Sequence, residues 1–236
     1  MNDRSDLNAA REALEEYVNG RDIDLDEDQI SLLIDYCVLI ARWNRLTSLV
    51  QARSLSELVQ SHIIDCLAAI NEIRGPAVAD VGSGAGLPGV VFAIARPAWT
   101  VYLVEANQRR ARFLTQVKIE LALNNIEICN ARIEQWRAPR KLSCITSRAF
   151  SSLGTFYQCC RHLLDDANPE EQKGTGAPLL VALKGRVSET ELGDLQLPAG
   201  AVDVKKLDVP GREYRHAVLI NPSSPKVSDT PFERDS

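Results

Sequence analysis

Three glycines at alternate positions, Gly82, Gly84 and Gly86, follow the apolar run Val78-Ala79-Asp80-Val81 and precede Leu87-Pro88-Gly89. Glycine lets the chain turn tightly and lets the backbone approach a ligand, and Pro88 lacks an N–H where a first helical turn needs none. A second apolar run, Val101-Tyr102-Leu103-Val104, ends on the carboxylate of Glu105, 19 residues after Gly86. Strand, glycine turn, helix, strand and terminal carboxylate form the layout of a nucleotide-type cofactor site, with the carboxylate accepting hydrogen bonds from a ribose. Two registers compete. Gly84-x-Gly86-x-x-Gly89 satisfies the dinucleotide fingerprint and suggests NAD or FAD, whereas Asp80-x-Gly82-x-Gly84-x-Gly86 is the pattern of enzymes that use S-adenosylmethionine (SAM). The charge of Asp80 favours the second, because a carboxylate so close to the turn repels a pyrophosphate and attracts the ammonium and sulfonium of SAM. A ligand-free tight turn is the remaining reading, and three glycines weaken local structure with no other gain.

The elements that must hold this site alternate. Strands are predicted at 77–81, 100–104, 127–131, 143–147 and 179–183, with helices at about 88–95, 107–123 and 153–164. Such alternation means an α/β, Rossmann-like, doubly wound and mostly parallel sheet, with the ligand at the carboxyl ends of the strands. Val202–Val209 and Tyr214–Ile220 are two further strands separated only by Pro210-Gly211-Arg212-Glu213. No crossover helix fits there, so they pair as an antiparallel hairpin. A seven-stranded sheet closed this way is the usual form of a class I SAM-dependent methyltransferase, which favours SAM again.

Before the sheet, residues 1–75 read as a helical extension packed on the core, ahead of a cofactor-binding domain over 76–221. Ile30, Leu33, Ile34, Cys37 and Ala41 recur at helical spacing, and Ser54-x-x-Glu57 is a capping-box pattern opening a second helix with Leu58, Val59, Ile63, Cys66, Leu67 and Ile70 as its buried stripe. The segment 165–177 reads as a surface loop, and the Pro/Ser/Asp-rich tail over 222–236 reads as disordered.

Composition narrows the classes. The chain has 236 residues, 45% of them apolar, enough for a substantial core, and no apolar run near the length of a membrane span. An acidic start without an apolar signal region implies no export, so the cytoplasm is the expected location and a monomer the default state. The six cysteines show no C-x-x-C spacing and read as buried reduced thiols, with no metal site assigned. A net charge of −5 is unpromising for a nucleic-acid enzyme, but residues 1–30 hold ten acids against three bases, which leaves the rest of the chain at +2. Basic clusters recur at Arg42/Arg45, Arg109/Arg110/Arg112, Arg137/Arg140/Lys141, Lys184/Arg186 and Arg212/Arg215. Singly each is a solvated face; converging in space they would make an RNA footprint.

Several separate segments resemble one family, the GidB-like (glucose-inhibited division protein B) methyltransferases. They are Trp43-Asn44-Arg45-Leu46-Thr47-Ser48, His62-Ile63-Ile64-Asp65-Cys66, the run from Asp80 to Gly89, Arg112-Phe113-Leu114, Ser147-Arg148-Ala149-Phe150 and Ala182-Leu183-Lys184-Gly185. They keep their order and cover roughly residues 40–220. The resemblance implies methylation of N7 of a guanine in 16S (small-subunit) ribosomal RNA. It also implies that SAM lies against Gly82 and Leu87, that Ile133 and Glu134 contact the adenine, and that Arg148 reaches the cofactor or the target pocket. Glu105 departs from the family pattern, where aspartate is frequent; the acidic leader and the 165–177 insertion depart as well.

The cofactor-binding expectation is therefore Asp80, Gly82, Gly84, Gly86, Leu87, Glu105, Ile133, Glu134 and Arg148. A ring nitrogen such as N7 already offers a lone pair and loses no proton on attack, so no general base is expected and Arg148 carries catalysis as a positioning group. The place where amine-directed methyltransferases often carry an Asn/Asp-Pro-Pro-aromatic tetrapeptide holds Ser147-Arg148-Ala149-Phe150, which fits a ring nitrogen better. Substrate contacts are expected from His62, Arg109, Phe150 and Lys184. Each has a plain competitor: a surface ion pair for Arg148, core packing for Phe150, a solvated amine for Lys184, and a helix-face hydrogen bond for His62, which lies three residues from Asp65, within pairing distance on a helix. Two other functional classes remain open at this point, a nicotinamide-dependent oxidoreductase and a noncatalytic RNA- or ribosome-binding protein that kept the fold.

Overall fold

A computed structural model describes residues 3–148, 150, 152–165 and 177–221. The chain begins with α1 (Asp3–Asn19) and α2 (Glu27–Asn44). Asp26 starts α2 through a reciprocal capping box with Gln29, satisfying two backbone donors that a helix start leaves open. The predicted single helix after Ser54 is instead a composite of α3 (Leu55–Leu58), a π-helical turn (Val59–Ile63), α4 (Ile64–Leu67) and a 3-10 turn (Ile70–Glu72). Only half of the predicted capping box forms: Ser54 Oγ accepts from Glu57 N at 3.0 Å, while Glu57 Oε2 turns to Arg53 N at 2.7 Å. The remaining donors of α3 are met from a distance, Leu55 N and Ser56 N both donating to the carboxylate of Asp6 in α1.

The sheet follows as β1 (Ala77–Val81), α5 (Gly89–Ala95), β2 (Thr100–Val104), α6 (Gln108–Glu120), β3 (Ile126–Cys129), β4 (Cys144–Ser147), α7 (Leu153–Cys160), α8 (His162–Asp165), β5 (Leu179–Lys184), α9 (Glu189–Gly193), β6 (Val202–Lys206) and β7 (His216–Ile220). Its order is β3-β2-β1-β4-β5-β7-β6, with β1 to β5 parallel and β7 antiparallel to both neighbours. This is the doubly wound seven-stranded arrangement expected of a class I methyltransferase, and it reverses direction between β1 and β4, where such sheets bind ligands.

Several predicted boundaries move for local reasons. The third strand stops at Cys129 because Ala131 N folds back to the carbonyl of Cys129 at 2.9 Å and Asn130 Nδ2 donates to the carbonyl of Glu105 at 2.8 Å. The helix expected over 153–164 breaks into α7 and α8 at Arg161. The hairpin strands are shorter than 202–209 and 214–220, because Leu207 and Val209 both turn inward and the intervening arm keeps only the Val209–Arg212 bridge. The tip of that arm docks on α1, where Tyr17 Oη donates to the carbonyl of Asp208 at 3.1 Å and Arg21 pairs with the Asp208 carboxylate at 2.6 Å. Asp165 ends α8, whereas 166–176 of the predicted loop and the predicted tail over 222–236 lie outside the described residues.

Alternate strand residues serve two apolar layers, as a period of two requires. Val78, Val101, Leu103, Val181 and Leu183 face the layer that also buries Leu14 of α1, Leu33, Ile34 and Ile40 of α2, the whole of α5, and Phe113 and Leu114 of α6. Ala79, Tyr102, Ile145, Leu180 and Val218 face the layer built on Leu153 and Phe156 of α7. The first layer runs without a break from α1 to β7. Burying all of α5 places α2 close above the glycine turn, and this is how the helical segment enters the site.

Candidate active site

At the end of β1 the chain rises through Gly82 and Gly84 with φ of +69° and +60°. A methyl group added at Gly82 would meet no atom within 4 Å, so this backbone faces open space. Glu105 fixes the loop from the end of β2: its Oε2 accepts from Gly84 N at 2.8 Å and its Oε1 from Asn107 N at 2.7 Å. Asn107 in turn caps α6, which projects Arg109 at its first turn. From above, Tyr36 of α2 donates its hydroxyl to the carbonyl of Ala85. From the side, Ser147 Oγ donates to the carbonyl of Val81 at 2.8 Å, tying the end of β4 to the start of the loop.

Asp80 lies wholly buried under this cradle. Its Oδ2 accepts from Gly89 N at 2.9 Å, and its Oδ1 has no hydrogen-bond partner among the described residues. Burial, opposed by the Gly89 N–H, pushes its carboxyl up to about 7. An unpaired carboxylate oxygen beneath an open glycine turn is an environment that a cationic ligand would complete. In the turn after β3, Ile133 is buried and Glu134 exposed, with Cys159 Sγ against Glu134 Oε1 at 3.5 Å. Leu87 is buried against the apolar layer shared with α2.

Beside the cradle opens a cavity of about 550 Å³ bounded by Gln51, Ser61, His62, Asp65, Arg148, Lys184, Arg212, Arg215 and His216 among others. Three separate parts of the chain meet here: the composite helix, the carboxyl ends of β4 and β5, and the hairpin arm. Because β7 runs antiparallel, its first residue His216 stands opposite Lys184 at the ligand edge. Arg148 Nη1 donates to His62 Nδ1 at 3.1 Å and lies 3.7 Å from Asp65 Oδ2. Arg215 Nε donates to Asp65 Oδ1 at 2.6 Å, and Arg212 Nη2 to Ser61 Oγ at 2.9 Å. His62 Nε2 lies 3.2 Å from the Gln51 carbonyl. With one ring nitrogen donating to that carbonyl and the other accepting from Arg148, His62 is neutral, and burial followed by the Arg148 charge lowers its pKa from 6.5.

The sequence assigned Arg148 to the cofactor or target pocket and His62 to substrate contact as separate expectations; in the structure the two side chains touch. His62 and Asp65 do not pair with each other as expected; both hold Arg148, with the π-helical turn delivering His62 to it. Lys184 borders the cavity but its ammonium is bound to Glu191 Oε1, an oxygen that also accepts from Leu153 N at 3.0 Å. Phe150 packs against Phe156 at 5.3 Å between ring centres, beside a smaller recess that Arg148 and Lys184 also line. Arg109 is exposed on α6, away from the residues of the cavity. Arg215, Ser61 and His216 went unassigned. The signal for Arg215 is the late start of the last strand at His216, which leaves Arg215 at the carboxyl edge of the parallel strands.

Over residues 29–218 the chain matches the sequence profile of the family described as GidB, rRNA small subunit methyltransferase G. A protein named Ribosomal RNA small subunit methyltransferase G from Nitrosospira multiformis is 40% identical over 199 residues, 84% of this chain and 91% of its own length. Its namesake from Herminiimonas arsenicoxydans is 40% identical over 215 residues, 88% of this chain and 93% of its own. A predicted O-methyltransferase from Agrobacterium tumefaciens, known from its crystal structure, shares the fold with a TM-score of 0.50 at 16% identity, over 70% of this chain and 82% of that one. These matches support neither the oxidoreductase nor the noncatalytic alternative. The sheet order, the glycine cradle with its carboxylates, and the extent of these matches together establish that the chain belongs to the GidB family, rRNA small subunit methyltransferase G.

Proposed function

We propose that this protein transfers a methyl group from SAM to N7 of a guanine in small-subunit (16S) ribosomal RNA. The observation that carries the reading is the end of β4, where Ser147 is bonded to Val81 at the foot of the open glycine turn and the next residue, Arg148, lines the donor-rich cavity. SAM supplies an electrophilic methyl carbon on a sulfonium; the remaining work falls to the protein.

Gly82 and Gly84 would form the wall against which the cofactor lies, with Leu87 buried behind it; Gly86, expected to line the cofactor, is itself buried where Tyr36, Val90 and Leu114 close on its backbone. Asp80 would oppose its positive charge from below, and the free lone pairs of Glu105 would accept from ribose hydroxyls. Ile133 and Glu134, which follow the turn joined to Glu105 through Asn130, would border the adenine. In the cavity, the two groups beside Arg148 are committed: both oxygens of Asp65 face arginines, and the Nδ1 lone pair of His62 accepts from Arg148. Groups spent on holding Arg148 rather than on taking a proton suit a nucleophile that loses none. The guanidinium donors suit an acceptor edge, and guanine offers O6 beside N7 in its outer edge. Arg148, donating to O6 or to the cofactor carboxylate, would align nucleophile, methyl carbon and sulfur.

The test is transfer of isotopically labelled methyl from SAM into small ribosomal subunits from cells lacking the gene, with large subunits as control. Uptake confined to small-subunit RNA is the expected result. No uptake by a preparation that binds SAM would overturn the reading.

A further inference from the structure

Asp65 is a carboxylate that touches two arginines from distant parts of the fold. It is 8% exposed, on the first turn of α4. Its Oδ1 accepts from Arg215 Nε at 2.6 Å and its Oδ2 lies 3.7 Å from Arg148 Nη1. Arg148 follows β4, whereas Arg215 precedes β7, so no local geometry brings the two guanidiniums together. They share one small anion, with side-chain exposures of 19% and 25% against 11% for Asp65. Two positive groups this close repel unless a negative charge stands between them, and limited exposure weakens the solvent screening that would otherwise spare them. Each arginine has one further anchor, His62 Nδ1 for Arg148 and the carbonyl of Tyr214 for Arg215 Nη1. Both of those are neutral and cannot offset the repulsion. Remaining guanidinium donors of both residues are thereby presented to the cavity, which both line.

We propose that Asp65 is a positioning residue for methyl transfer: it sets the directions of Arg148 and Arg215 together, and acts through them without touching the target base. The π-helical turn before it supplies the second half of the same support, since it brings His62 onto the Arg148 Nη1 that faces Asp65. This role rests on the reading of the cavity as the target-base pocket.

The test is single-turnover transfer of labelled methyl into small subunits, with SAM titrated by calorimetry to count competent sites. Asp65→Asn keeps the shape and removes the charge. The expected result is a fall of about 100-fold in the transfer rate, the loss that an ångström-scale misplacement causes. The half-saturating subunit concentration stays within about threefold, because RNA contacts outside the pocket dominate it. SAM stoichiometry is unchanged, and Asp65→Glu recovers at least about tenfold of the rate, since it restores the charge on a longer arm. A rate for Asp65→Asn within threefold of wild type, a loss that tracks missing SAM sites, or a glutamate no better than asparagine would overturn the role. Should Asp65→Asn fail to fold, Arg215→Lys decides: it retains charge but loses the Nε contact, and a wild-type rate in it refutes the proposal. A wild-type protein that binds SAM and leaves subunits unlabelled refutes the function itself, and the role with it.

Discussion

Asp80 is where a single residue most constrains the chemistry. Its carboxyl is buried under the glycine cradle and is pushed up to about 7 from an unfolded value of 3.8. The folded state therefore keeps a proton that the unfolded state releases between those values. Its contribution to stability is whole below the unfolded pKa and is lost as pH rises through about 7. Asp80→Asn still offers Gly89 N an acceptor but does not titrate. In the absence of cofactor, denaturation curves should show this variant gaining on wild type as pH is raised from about 5 to about 8; a constant difference would mean that Asp80 is ionised throughout. The glycine register, Glu105 and Arg148 were readable from sequence because their chemistry is tied to spacing along one strand-turn-helix unit or to a strand end. Asp65 and Arg215 were visible only as a helix neighbour of His62 and as one basic cluster. Their partnership depends on a contact 150 residues apart, which no local spacing encodes.

Helix ends show the same divide among the elements. The pattern Ser54-x-x-Glu57 reads as a capping box, yet the donors of Leu55 and Ser56 are taken by Asp6, at 2.7 and 3.1 Å, from a helix some fifty residues earlier. A local rule gave the position of the helix start and missed what holds it. Asp6→Ala should destabilise the protein by about 1 kcal/mol, the usual cost of a lost cap, without changing affinity for SAM, because α3 does not touch the cradle. Urea denaturation and a SAM titration check both halves; unchanged stability would show that water replaces Asp6 at no cost. Likewise, the hairpin was predictable from the short gap after Val209, but the early end of its strands was not. Leu207 and Val209 are drawn into the layer shared with α1 and α2, a tertiary demand that overrides the strand pattern. The π-helical turn has no counterpart in the sequence reading, since a continuous apolar stripe over Leu58 to Ile70 is equally compatible with an unbroken α-helix.

Across the whole molecule, charge is unevenly divided along the chain. The acids of residues 1–30 decorate α1 and the start of α2, where Arg11 bridges to Glu15 and Glu27. The cavity at the carboxyl edge gathers Arg53, Arg148, Lys184, Arg212 and Arg215, bases that lie far apart along the chain. Arg109 and Arg112 stand exposed on α6, outside this cavity, and are proposed as separate contacts to the RNA backbone. Replacing either with alanine should weaken binding to small subunits and flatten the slope of log affinity against log salt by about one unit each, with SAM affinity unchanged. An unaltered slope would place RNA elsewhere. The fold class itself was the most legible property, because alternating strands and helices followed by a gap too short for a crossover leave few topologies.

The central claim is that the methyl group goes to a ring nitrogen of one guanine. Small-subunit RNA methylated by the purified protein, then reduced and treated with aniline, should break at a single position absent from unmethylated RNA, because 7-methylguanine alone opens to scission under that treatment. Methyl label retained in RNA that aniline leaves intact would contradict the account, placing the group on another atom and reopening the need for a base in the cavity.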